Sequence, residues 1–203
     1  MADKPDAPAT HRNRAPILQV LRFEFAASKS VLEIGSGTGQ HAVYFGRELP
    51  SLCWQTSDRV EYIDGIKAWI AETALKNVLP PLEIDVTKQD HVDGEFDAVF
   101  SANTAHIMSF PAVECMFRLV GNTLAGGGVF CLYGPFNENG DFTSESNQRF
   151  DESLRSKDPE MGIRDLEEVD LLARNNGLRM ASRYAMPSNN MIIVWRKKKG
   201  AVS

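Results

Sequence analysis

Val31-Leu32-Glu33-Ile34-Gly35-Ser36-Gly37-Thr38-Gly39-Gln40 decides the reading of this chain. An apolar run carrying one acidic residue feeds a Gly-x-Gly-x-Gly turn, and a helix-compatible segment follows. The pattern predicts a buried strand, a turn in which backbone approaches a ligand, and a helix whose first N–H groups are free. Glycine lacks the Cβ that would block such an approach, and it adopts positive φ readily. Glu33 shapes the choice of ligand, because a carboxylate ahead of the turn repels a pyrophosphate and welcomes a cation. A dinucleotide fingerprint also wants a small residue at its sixth position, where this chain has Gln40. A nucleoside with a positive centre fits better, and S-adenosylmethionine is the common one. The plain alternative is a glycine-rich strand–helix turn that holds no ligand.

Outward from this stretch the chain alternates. Ile17, Val20, Leu21 and Phe25 after Pro16 predict a helix ahead of the first strand at 31–34. A helix over 40–49 ends at Pro50. Strands follow at 52–55, 82–84, 96–100 and 129–133, with Asp58, Asp85, Asn103 and Tyr133 at or just beyond their ends. Tyr62, Ile66, Trp69 and Ile70 mark one helix face, and Val113, Met116, Phe117 and Val120 mark another. Residues 134–164 interrupt the alternation with a polar, aromatic-containing excursion. Asp165 with Glu168 resembles a capping box for a helix that Gly177 ends. Strands at 178–185 and 191–195 form a closing hairpin. Five strand–helix units and a hairpin predict an α/β fold: a seven-stranded, mostly parallel sheet with a C-terminal antiparallel hairpin and helices on both faces. A ligand then belongs at the carboxyl ends of the strands, where strand order reverses.

Composition narrows the class. The 203 residues suit one domain, with 43% hydrophobic and 24% charged residues as in soluble globular proteins. Residues 1–10, rich in Ala, Pro and Asp, read as a flexible tail, and 11–199 as a single domain. The net charge of −5 gives no support for a nucleic-acid surface. No apolar run approaches membrane-spanning length, so no membrane partner is expected. Cys53, Cys115 and Cys131 lie far apart and read as reduced packing residues of a cytoplasmic protein. Cysteines and histidines do not cluster, so no metal site is expected.

The strand ends carry the candidate chemistry. Asp58 can accept hydrogen bonds from both hydroxyls of a ribose, or cap a helix. Asp85 can accept from an adenine amino group, or form a turn with Thr87. Asn103 can bond the amino-acid part of the cofactor, or close a turn. Glu33 can counter its ammonium. His106 is a candidate base or a structural histidine, and Tyr133 orients an acceptor or packs in the core. Phe136, Asn147, Arg164, Asn189 and Asn190 are candidate substrate contacts on the cover, although a salt bridge to Asp165 would also account for Arg164.

Taken together, the glycine motif with Asp58 and Asp85 at successive strand ends resembles a class I S-adenosylmethionine-dependent methyltransferase of Rossmann-like fold. A more specific resemblance runs through Arg12-Asn13-Arg14-Ala15-Pro16, Gly39-Gln40-His41-Ala42, Trp54-Gln55-Thr56-Ser57-Asp58, Leu132-Tyr133-Gly134-Pro135-Phe136, Gly162-Ile163-Arg164-Asp165 and Met186-Pro187-Ser188-Asn189-Asn190. These segments are similar to the domain of unknown function 938 family. The resemblance implies S-adenosylmethionine as cofactor, held by Arg14, Glu33, Gly35, Gly37, Gly39, Asp58, Asp85 and Asn103. A small-molecule methyl acceptor is expected by elimination, with His106 and Tyr133 as the catalytic pair. Arg12 to Arg14 would form a lid that orders on binding. A non-catalytic protein that binds S-adenosylmethionine or S-adenosylhomocysteine, and a dinucleotide oxidoreductase, are the competing classes.

Overall fold

The computed structural model describes residues 4–199. Helix α1 (Pro8–Glu24) leads into strand β1 (Ser30–Ile34) and helix α2 (Gln40–Glu48). Then come β2 (Cys53–Asp58), a single 3-10 turn, α3 (Ile63–Ala71), β3 (Val78–Glu83), β4 (Phe96–Ala102), α4 (Phe110–Thr123) and β5 (Leu124–Gly134). The excursion holds β6 (Phe136–Asn137), α5 (Glu145–Lys157) and β7 (Arg164–Asp165), before α6 (Leu166–Asn175), β8 (Leu178–Met186) and β9 (Asn190–Lys197).

Seven strands form one sheet in the order β3-β2-β1-β4-β5-β9-β8. β1 to β5 run parallel, and β9 is antiparallel to both β5 and β8. The order reverses between β1 and β4, which puts a crevice at their carboxyl ends. Both faces are covered, so the inner strands bury alternate residues in two separate cores. Leu32, Val99, Phe117, Phe130, Leu132 and Trp195 fill the core under α4 and α6. Val31, Phe45, Trp54, Phe100, Cys131 and Val194 fill the other, under α1 and α2. The expected architecture is therefore the observed one.

Four details differ from expectation. The tail expected over 1–10 is shorter: α1 begins at Pro8, residues 4–7 pack on α2 and α3, and residues 1–3 lie outside the described residues. The third unit has no helix, because Asp85–Thr87 and Asp93–Gly94 break residues 84–95 into turns. β3 starts earlier and includes Pro80 and Pro81, tolerated because it is an edge strand paired only with β2. The side chains of Gln55 and Thr56 bond the Pro80 and Leu79 carbonyls there, at 2.7 and 2.9 Å. Finally, the basic C-terminal run is partly structural: Arg196 lies in β9 and bonds the buried Glu24 carboxylate at 2.6 Å.

Candidate active site

The glycine turn sits where β1 meets β4 in the crevice, and its glycines answer to different neighbours. Gly35, Gly37 and Gly39 all have positive φ, at 73°, 57° and 87°. A Cβ on Gly35 would lie 2.4 Å from Thr104 Cγ2, and one on Gly39 would lie 3.0 Å from Ile66 Cα. A Cβ on Gly37 would meet nothing within 4 Å. Two glycines thus allow protein to pack on the turn, while the middle one opens onto free space. Asp58, from the end of β2, turns back to this point: its Oδ2 accepts from the Gly37 N–H at 2.7 Å and its Oδ1 from the Arg59 N–H at 2.8 Å. Burial raises its pKa, opposed by these two donors. Each oxygen keeps acceptor capacity for one more hydroxyl.

Glu33 is buried one turn below. Its Oε2 accepts from Ser36 Oγ at 2.8 Å and from Trp54 Nε1 at 3.0 Å. Burial pushes its pKa up to about 7. Near neutral pH this residue stands midway between acid and anion, rather than being the fixed counter-charge expected, and a cation beside it would draw the proton off. Asn103 takes a left-handed φ of 60° and bonds the Tyr133 carbonyl through its N–H at 2.9 Å. Such a conformation in a non-glycine residue concentrates at ligand sites. Asp85 lies one residue beyond Ile84, whose N–H bonds the Asp58 carbonyl. However, its Oδ1 accepts from the Thr87 N–H and hydroxyl at 3.0 and 2.7 Å, and its Oδ2 pairs with Lys88. The turn expected with Thr87 is formed, and these partners hold the carboxylate at about 2.

Arg14 and the expected lid belong to α1. Arg14 lies over the Tyr44 ring at 4.7 Å, and Asn13 accepts from His41 Nε2 at 2.8 Å. Arg12 to Arg14 form a turn of α1 in which Asn13 is buried, Arg14 half-buried and Arg12 exposed. Tyr133 is buried beside Asn13 in the α1-side core, which makes it a packing residue rather than an orienter of acceptor.

His106 has different surroundings. Its ring is buried edge-on to Phe150, with centroids 5.3 Å apart, and its Nδ1 lies 3.6 Å from where a Gly134 Cβ would be. Burial, aided by the Arg164 charge, lowers its pKa to about 4, so the imidazole is neutral across the physiological range. A base limb at 6–7, the ordinary histidine range, is therefore not expected here.

Several expected substrate contacts hold the cover together instead. Arg164 is buried, and its guanidinium donates to the carbonyls of Ala105, Met108 and Glu160. It brackets the loop after β4 to the excursion, so both the anion contact and the Asp165 salt bridge are corrected. Phe136 is fully buried in the α4-side core. Asn147 donates to Thr143 Oγ1 and to the Asn189 carbonyl, at 2.9 and 3.0 Å. The Asn189 amide donates to Ser146 Oγ on α5 and that of Asn190 to the nearby Pro187 carbonyl, yet both residues border a groove of about 400 Å³ with Thr143, Arg183 and Met186. Among the described residues no group of His, Cys, Asp or Glu is placed to hold a metal ion.

Sequence reasoning missed Thr104 and Gln40 as supports of the glycine turn, and placed Asn13 in a lid where it instead bonds His41. Thr104 packs against Gly35, and Gln40 bonds Asp6 and Ala7, partners that no local pattern marks.

A match to the family described as Protein of unknown function (DUF938) spans residues 4–197. The chain belongs to this family. Solved structures similar to the DUF938 chain include an O-methyltransferase family protein from Burkholderia thailandensis, with TM-score 0.80 and 18% identity over 95% of this chain and 58% of that one. The S-adenosylmethionine-dependent methyltransferase SibL, in its apo form, matches with TM-score 0.80 and 20% identity over 94% and 56%. Human N-acetylserotonin methyltransferase in complex with S-adenosylmethionine matches with TM-score 0.75 and 15% identity over 94% and 58%. At such identities the likeness is one of fold, that of class I methyltransferases. The DUF938 chain spans 56–58% of the length of these structures.

Proposed function

We propose that this protein is an S-adenosylmethionine-dependent methyltransferase acting on a small-molecule acceptor in the cytoplasm. The supporting observation is the pinning of Asp58 to the Gly37 N–H beside the open face of the glycine turn. That arrangement offers a carboxylate to a vicinal diol and a bare backbone to the rest of a nucleoside, so the residues fit the cofactor. When bound, the cofactor supplies an electrophilic methyl group next to a positive sulfur. Asp58 would hold the ribose, Glu33 would lose its proton as the cation arrives, and Asn103 would border the amino-acid part. His106, neutral and sheltered by Phe150, would take the proton of an acceptor hydroxyl held beside it. The packed cover from 134 to 164 would exclude water.

A second reading, a non-catalytic protein that binds S-adenosylmethionine or S-adenosylhomocysteine, is favoured by one observation: burial leaves His106 a weak base. Calorimetry with S-adenosylhomocysteine tests the binding shared by both readings. Asp58→Ala is expected to weaken it by about 1–3 kcal/mol, the scale of charge-assisted hydrogen bonds. An equal loss for an analogue lacking both ribose hydroxyls would remove Asp58 from the ribose. Turnover of labelled methyl donor with metabolite extracts then separates enzyme from binding protein.

A further inference from the structure

α3 contains a glycine, Gly65, in its first turns, where it weakens a helix. No left-handed φ is found at this position to require it. The neighbour that requires it comes from the start of the chain: a Cβ on Gly65 would lie 2.8 Å from Pro5 Cγ and 3.5 Å from its Cδ. Around this contact Trp69 Nε1 donates to the Pro5 carbonyl at 2.7 Å, and Lys4 lies 3.8 Å over the Trp69 ring while pairing with Glu72. The same segment reaches the glycine turn. The Ala7 N–H donates to Gln40 Oε1 at 2.7 Å, and Gln40 Nε2 donates to Asp6 Oδ1 at 2.8 Å. Gln40 Oε1 also accepts from Thr38 Oγ1, inside the turn, at 2.8 Å. Gln40 is buried at the head of α2, so its amide depends on these partners.

We infer that residues 4–7 form a clamp on the cofactor site, with Gly65 and Gln40 as the positioning residues that dock it. The clamp ties the glycine turn, through Gln40 and Thr38, to α3, which follows Asp58. It thereby fixes the two walls between which the ribose would lie, and this role rests on the cofactor reading above. Alanine at position 65 would push Pro5 away from α3.

The test separates the clamp from general stability. Gly65→Ala should release S-adenosylhomocysteine about three- to tenfold faster, the span set by coupling between contacting residues. Its Tm should stay equal or rise, because alanine favours the helix. Pro5→Ala combined with Gly65→Ala removes the clashing carbons and should return release toward the parent rate. Asp6→Ala, at an exposed position, should also speed release by cutting the bond to Gln40. Acrylamide quenching of Trp69 reports docking without ligand, since Trp54 and Trp195 are fully buried; Gly65→Ala should increase it. Unchanged quenching, or increased quenching with parental release, overturns the clamp. Failure of the parent chain to bind S-adenosylhomocysteine overturns the cofactor reading, and this inference with it.

Discussion

The two halves of the carboxyl edge use their polar side chains in opposite ways. At the ends of β1 and β2, Asp58 keeps acceptor capacity and Gly37 faces open space. Over the ends of β4 and β5, Arg164 and Asn147 direct their donors to backbone carbonyls and a hydroxyl of the fold itself. The first half leaves acceptor capacity and open space. The second is built to hold a cover over a buried, neutral histidine. A polar residue near a crevice is thus evidence of binding only when its hydrogen-bonding capacity is unspent.

The sharpest test of this contrast is His106, the buried imidazole beside Phe150. His106→Ala should lower kcat by about 10²–10⁴-fold with cofactor affinity unchanged. Its base form is lost only as pH falls through about 4, so the parent's ascending limb should lie there. A rise in acceptor KM alone, with the pH profile unaltered, would make His106 a contact rather than a base.

Arg164 offers a way to break the contrast. If it holds the cover, Arg164→Ala leaves the Ala105, Met108 and Glu160 carbonyls without its donors and should cost about 2–4 kcal/mol of stability in denaturant unfolding. Lysine lacks the planar fork and should recover less than half of that. A normal midpoint together with weaker acceptor binding would return Arg164 to the substrate.

On the cofactor side, Glu33 gives the smallest effect and a definite sign. Its folded pKa of about 7 stands above the ordinary 4.5, so its favourable contribution is full below 4.5 and lost as pH rises through 7. Glu33→Gln removes a buried charge and should match the parent near pH 5 but exceed it near pH 8. The difference is at most about 3 kcal/mol by the conversion of pKa shift to free energy. Chemical denaturation at both pH values measures it. Equal differences would show that Glu33 does not titrate in the fold.

What could be read in advance follows from range. The place of Asp58 beside the glycine turn was legible because a strand end there has a fixed position in a parallel sheet. Asp85 occupies the equivalent place on the next strand, yet Thr87, two residues on, captures its carboxylate at short range. Arg164 reaches carbonyls as far as 59 residues away, and no local pattern announces such partners.

The sequence by itself determined the alternation of strands and helices, the two-faced sheet, the closing hairpin and the glycine turn. These rest on periodicity and on backbone freedom, which act over a few residues. Only the tertiary structure decided which polar groups stay free, what Gly65 meets, and that residues 4–7 reach both α3 and the glycine turn. Those outcomes depend on which distant atoms arrive within hydrogen-bond or contact distance, a property of packing that short-range patterns do not carry.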